Sequence, residues 1–235
     1  MLFNIQCIVL DKRYRADEVS ILGELSSLGF SPNLDLVGDG SLQTTYQHID
    51  VDPPGIGPEV EDYKRCRQSY NYGLCVRDIM EKHLASEGDI LWMFEDDAIL
   101  NQPKFSMYWE QAWSEVANTD LINWFDVLYV GGNHTCGEMM GLNHIRNDGT
   151  VIPLKYTYKT SYSLDLHSSI FSRRGCQKIL EKQANPRYTF DGIIGQMQLD
   201  RQINVLAFHP SLVTQKPGFS YNEFRPVDRA SNHYL

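Results

Sequence analysis

Between Ile90 and Phe94 the chain carries five apolar residues in a row, and Glu95, Asp96 and Asp97 follow at once. The apolar run has the quality of a buried β-strand. The three carboxylates repel one another, and a partly buried carboxylate is costly unless something compensates it. A fold for this chain has to bury that strand and still give its end a reason to be acidic.

The flanking segments alternate strand and helix patterns. Asn4 to Leu10 is a short apolar run suited to a buried strand. From Asp17 to Leu28, Val19, Leu22 and Leu25 with Ile21 and Leu28 form a helical stripe, and Gly29 follows as the C′ residue. "NLDLVGDG" reads as a second strand running into a turn. This β-α-β opening is the signature of a parallel, doubly wound sheet. The Pro- and Gly-rich segment 44–66 lacks periodicity and reads as a long surface loop.

A helix is predicted near Tyr70 to Ala85, another around Ser106 to Ala117, and a strand over "WFDVLYVGG". "NHTCGEMMGLNHIRNDGTVIPL" resembles hairpins or a loop. "SSIFSRRGCQKILEKQA" reads strand, turn, helix, "FDGIIGQMQLDR" a short helix, and "INVLAFHPSLV" a final strand breaking at Pro210. No repeat or linker divides the 235 residues, so one α/β domain is expected, with a mostly parallel central sheet flanked by helices.

The formal net charge of −9 argues against a nucleic-acid groove, which needs a basic stripe. An anionic ligand is then possible only where a cation or local arginines reverse the field. No apolar segment approaches a membrane span, and "MLFNIQCIVLDKRYR" reads as a first strand rather than a secretion signal. The five cysteines lack a CxxC pair and read as free thiols of a reducing, cytoplasmic compartment.

In an open α/β sheet ligands bind beyond the carboxyl ends of the strands. "FEDD" lies at such an end, and clustered carboxylate oxygens there suit Mg²⁺ or Mn²⁺. The plain alternative is a helix N-cap with solvated charges. His134, Cys136, Glu138 and His144 match no common structural-zinc spacing.

The series "IVLDKRYR", "YGLCVRD", "LWMFEDDAIL", "LYVGGN", "SSIFSRRGCQKIL", "FDGIIGQ" and "AFHPSLVTQ" resembles the family 25 glycosyltransferases, the lipopolysaccharide and procollagen sugar transferases. Arg77 and Asp78 stand where that family usually has Ser and His, and Ser220-Tyr221 where it has Ser-Asp. The resemblance implies a GT-A-like domain. Residues 1–100 would form a Rossmann-like nucleotide-sugar half, 101–215 an acceptor half, and 216–235 a tail or lid. It implies a Mn²⁺- or Mg²⁺-dependent transfer from a nucleotide sugar, UDP-linked, to a glycan or glycoprotein hydroxyl.

In that reading Asp97 binds the ion directly, Glu95 reaches the ribose or a metal-bound water, and Asp96 orients the pair. His209 is a third ligand, or else a cap on the strand before Pro210. Leu10, ending the first strand, is expected at the nucleotide, as is Arg77 at the diphosphate. Of Arg13 and Arg15 beyond that strand, one is expected to contact base or phosphate, the plain alternative being solvated surface charges. Asp39 is a uracil or ribose contact, or a plain Asp-Gly turn. Asp191 is the general base of an inverting transfer, and its structural reading is a helix N-cap. Gly131 and Gly132 let backbone approach the sugar, or simply make a turn. Two other classes use the same residues differently: a nucleotidyltransferase or phosphohydrolase, and a catalytically dead sugar-binding scaffold. The first should carry a Gly-rich loop after its first strand, which "DKRYR" lacks.

Overall fold

A computed structural model describes residues 3–8, 20–29, 33–34, 49, 51–133, 139–141, 143–182, 184–185, 187–216, 218–220 and 225–227. The chain opens with β1 (Phe3–Ile8), α1 (Ser20–Ser27) and β2 (Asn33–Leu34), then α2 (Tyr63–Ala85), β3 (Ile90–Glu95), β4 (Ala98–Leu100) and α3 (Gln102–Ala117). It continues through α4 (Leu121–Trp124), β5 (Val127–Asn133), β6 (Met139–Gly141), β7 (Asn143–Ile145), β8 (Val151–Pro153) and β9 (Thr157–Thr160). Next come β10 (Leu164–Ser172), α5 (Arg173–Glu181), α6 (Phe190–Leu199), β11 (Val205–Phe208), β12 (Val213–Gln215), β13 (Gly218–Ser220) and β14 (Arg225–Val227).

Among the described residues one eight-stranded sheet runs in the order β2-β1-β3-β10-β5-β11-β9-β6. Its mount for the acidic triplet is β3, whose side chains alternate between two cores. Ile90, Trp92 and Phe94 join Ile5, Cys7, Leu128 and Val130 with α1 and α3 on one face. Leu91 and Met93 join Val127 and Tyr129 with α2, α5 and α6 on the other. Both faces are covered, which is why the run shows no polar alternation.

The expected mostly parallel sheet is corrected to a mixed one. β1 is parallel to β2 and β3, and β11 to β5. But β10 enters between β3 and β5 antiparallel to both, and β9 lies antiparallel to β11 and β6. A strand covered on both faces has the same apolar composition in either direction, so "SSIFS" did not reveal its sense.

Gly29 takes a positive φ of 84° just beyond α1, as its C′ position requires. α2 starts at Tyr63 rather than near Tyr70. Its first turns are polar and are tied down laterally, with Tyr63 and Arg67 both donating to Asp52. The loosely patterned middle contains the β7–β8 hairpin. Of the described cysteines, Cys7, Cys75 and Cys176 are buried and Cys66 is half-buried, all as free thiols. Burial pushes the Cys176 thiol up to about 12.

Three arginines close helix C-termini, where the last carbonyls lack intrahelical donors. Arg173 donates to His83, Leu84, Ser86 and Gly88 carbonyls at the end of α2. Arg174 does so for Asn123, Trp124 and Phe125 after α4. The third, Arg77, caps α5.

Next to the Arg173 cap, His83 is fully buried. Burial first, then Arg173 against the weaker pull of Asp89, brings its pKa down from 6.5 to about 4. The unfolded chain takes up this proton below pH 6.5, whereas the folded chain resists until about pH 4. The stability it contributes is therefore present above pH 6.5 and lost as pH falls towards 4. Urea melts of wild type and His83→Leu should diverge across that window by on the order of 3 kcal/mol, with wild type losing more. Parallel pH profiles would refute the assignment.

Candidate functional site

The alternation along β3 sends Glu95 to the same face as Leu91 and Met93, beneath α2. There the Tyr72 hydroxyl donates to Glu95 Oε1 at 2.9 Å. Asp96 and Asp97 make the turn into β4, and β4 pairs antiparallel with β12. Asp96 is buried, at 6% exposure, while Glu95 and Asp97 are half-buried. β12 brings in Gln215, whose Nε2 lies 3.3 Å from Glu95 Oε2 and 3.4 Å from Asp97 Oδ2.

Two more carboxylates arrive from other elements. Asp165 sits at the start of β10, beside the end of β3 because the two strands run antiparallel. It holds a left-handed φ of 64°, a conformation that Asp tolerates better than most residues. Asp191 is in the first turn of α6. Its Oδ2 accepts from the Asp165 amide at 3.1 Å and its Oδ1 from the Gly192 amide at 2.8 Å. The N-cap of that helix is Thr189, which corrects the capping reading of Asp191. Thr189 Oγ1 shares the Gly192 amide with Asp191 Oδ1, at 3.3 Å.

Burial raises the Glu95 carboxyl well above its ordinary value, Asp97 raises it further, and Asp165 and Asp191 add to this against the opposing Tyr72 bond. Burial and then Glu95 hold the Tyr72 proton on its oxygen. Burial, Asp191 and Asp165 do the same for Tyr129. The edge is a negative field lined by hydroxyl and amide donors.

Hard oxygen donors of this kind fit Mg²⁺ or Mn²⁺, which take one or two carboxylates with water and phosphate oxygens. Glu95 and Asp97 supply such a pair, held by Tyr72 and Gln215. Among the described residues no three His, Cys, Asp or Glu side chains are grouped to surround an ion by themselves. The structure does not bring His209 to the pair. It is exposed at the end of β11, three strands along from β3, with its ring edge-on to Tyr158 at 6.4 Å.

Arg77 also stands apart, which corrects its expected place at a diphosphate. Its guanidinium donates to the Ile179, Leu180 and Lys182 carbonyls at 3.2, 2.6 and 2.7 Å, at the end of α5. Its neighbour Asp78 pairs with Lys82 at 3.0 Å. Gly131 and Gly132 lie within β5, and what approaches them is this chain itself. A Cβ on Gly131 would stand 2.3 Å from the Val213 carbonyl oxygen, and one on Gly132 would stand 2.7 Å from the Tyr129 ring and 3.2 Å from the Asp165 carbonyl oxygen.

Leu10, Arg13, Arg15 and Asp39 lie outside the described residues, as do His134, Cys136 and Glu138. His144 is buried with Nε2 at 2.9 Å from Asp120. Sequence reasoning missed Tyr72, Asp165 and Gln215 as site residues. Gln215 carried a faint signal, being the polar end of an in-out-in strand.

No protein-family model matches the chain. No curated protein matches it. Among solved structures it is similar to A197 from STIV, at 9% identity and a TM-score of 0.41, over 88% of this chain and 81% of that one. It is also similar to a glucose-1-phosphate thymidylyltransferase from Bacillus anthracis in complex with sucrose. That likeness has 17% identity and a TM-score of 0.34, over 89% of this chain and 69% of that one. At these scores neither likeness bears on function.

Proposed function

We propose that this protein is a metal-dependent glycosyltransferase of the GT-A type, moving a sugar from a UDP-linked donor to a hydroxyl of a glycan or glycoprotein. One observation carries the reading: Glu95 and Asp97, two like charges at the end of β3, are held together by the shared Gln215 amide, with the Tyr72 hydroxyl on the other Glu95 oxygen. A fold gains nothing from that repulsion by itself, whereas a site for a cation and an anionic substrate needs it.

Asp97 and Glu95 hold Mn²⁺ or Mg²⁺, with Tyr72 and Gln215 orienting their oxygens. Bound there, the ion offsets charge on the donor's diphosphate as it leaves. Asp191 acts on the acceptor. Its two oxygens are oriented by the Asp165 and Gly192 amides, and a free lone pair takes the hydroxyl proton. The acceptor oxygen then bonds to the anomeric carbon, the carbon–phosphate oxygen bond breaks, and the nucleoside diphosphate departs. Leu10, Arg13, Arg15 and Asp39 contact the nucleotide in this reading. Among the described residues no helix is long and apolar enough to cross a membrane.

Calorimetry of UDP with and without Mn²⁺ tests the reading. Binding should depend on the ion, and a screen of nucleotide sugars should then give a glycoside whose anomeric configuration is read by NMR. Negligible binding of every nucleotide in the presence of Mn²⁺ would refute it. Hydrolysis of the nucleotide sugar to UMP and sugar 1-phosphate would instead assign the carboxylates to a phosphohydrolase, and release of pyrophosphate from UTP and a sugar 1-phosphate to a nucleotidyltransferase.

A further inference from the structure

Residues 212–216 are fixed along their whole length. The Leu212 amide donates to the Val130 carbonyl at 3.0 Å, and the Asn101 amide donates to the Leu212 carbonyl at 2.9 Å. Val213, Thr214 and Gln215 pair with Leu100, Ile99 and Ala98. The Lys216 amide closes the strap on the Asp97 carbonyl at 2.8 Å. Gly131 is what lets this strap lie on β5, because any side chain there would strike the Val213 carbonyl.

At the end of the strap the Gln215 side chain is buried, at 8% exposure, and its single amide nitrogen serves two carboxylates. The contacts are 3.3 Å to Glu95 and 3.5 and 3.4 Å to the two Asp97 oxygens, long as expected of a shared donor. Tyr72 grips the other Glu95 oxygen. Left alone, two like charges would turn away from each other. A backbone-anchored amide with two N–H groups turns both inward, and being neutral it leaves their charge for a cation. A lysine in the same place would consume that charge.

We propose that Gln215 is the positioning residue of the cation site, setting the spacing at which one divalent ion engages both Glu95 and Asp97. The inference rests on the metal-dependent reading above and adds the residue that makes the pair competent. In this role Gln215 acts through the two carboxylates.

The test uses the full chain and Mn²⁺ alone, with free Mn²⁺ followed by electron paramagnetic resonance and folding checked by circular dichroism without metal. Gln215→Leu, which cannot donate, should weaken Mn²⁺ binding by about 10- to 100-fold, the usual effect of losing an outer-shell partner. Gln215→Asn, whose shorter arm cannot span both carboxylates, should weaken it in the same direction. It decides the matter if the leucine variant does not fold. Unchanged or tighter Mn²⁺ binding in a folded variant overturns the proposal, because the amide would then only relieve repulsion. In that case wild-type Mn²⁺ binding and UDP-sugar turnover leave the transferase reading standing. Absence of Mn²⁺ binding by the wild type overturns both.

Discussion

Asp97→Ala should reduce turnover of a UDP-sugar by at least about 10²- to 10³-fold, the scale of losing one preorganised electrostatic contact to the reacting charge. It should do so without cost to the fold. Asp97 is half-buried in a turn whose backbone is held by the β4–β12 pairing and by the Lys216 amide, and neither needs the side chain. The substitution also removes the largest charge acting on Glu95, so the Glu95 carboxyl should move back towards its ordinary value. Thermal melting without metal should therefore be unchanged or slightly higher, while kcat/KM and the response to Mn²⁺ collapse together. Full activity with intact Mn²⁺ dependence would remove Asp97 from the site. A large loss of melting temperature would show that the turn, not the chemistry, needs it.

The junction of Phe94 and Glu95 was legible because it breaks a simple rule: apolar strands do not end in three repelling charges without cause. The α/β class was legible for a similar reason, since β1, β3, β5 and β11 are apolar runs separated by helical stripes. Strand direction was not legible, because β10 is covered on both faces and reads the same either way. Arg77 shows a different limit. An arginine on a helix leading into an acidic strand looks like a phosphate contact, but the unsatisfied carbonyls of α5 compete for the same donors. Those carbonyls belong to residues about a hundred positions away, which no local pattern can report. Gln215 and Asp165 were hidden for the same reason: each becomes a site residue only when the sheet brings its strand beside β3.

The largest stability effect is expected at the opposite end of the sheet. Asp126 is fully buried just before β5 and is the knot of three elements. Its Oδ1 accepts from Arg174 Nε at 2.6 Å, and its Oδ2 accepts from Lys178 Nζ and the Asn204 amide, each at 2.8 Å. The backbone is equally committed, with the Ser172 amide donating to the Asp126 carbonyl at 3.1 Å and Gly175 packed against it. Removing one member of a buried ion pair typically costs about 3–5 kcal/mol, because the partner charge is left uncompensated. Here both cations are partly exposed, at 45% for Arg174 and 34% for Lys178, so water recovers part of the loss. Asp126→Ala should accordingly cost about 3 kcal/mol in urea unfolding at neutral pH, at the lower end of that range. Asp126→Asn should cost less, since its carbonyl can still accept one of the three donors. Neither variant should change kcat/KM or Mn²⁺ affinity in the folded protein, because the knot ties the amino end of β5 and the acidic pair lies at the carboxyl edge of β3. A loss below about 1 kcal/mol for the alanine variant would show that Arg174, still bonded to three carbonyls, holds this corner without the carboxylate.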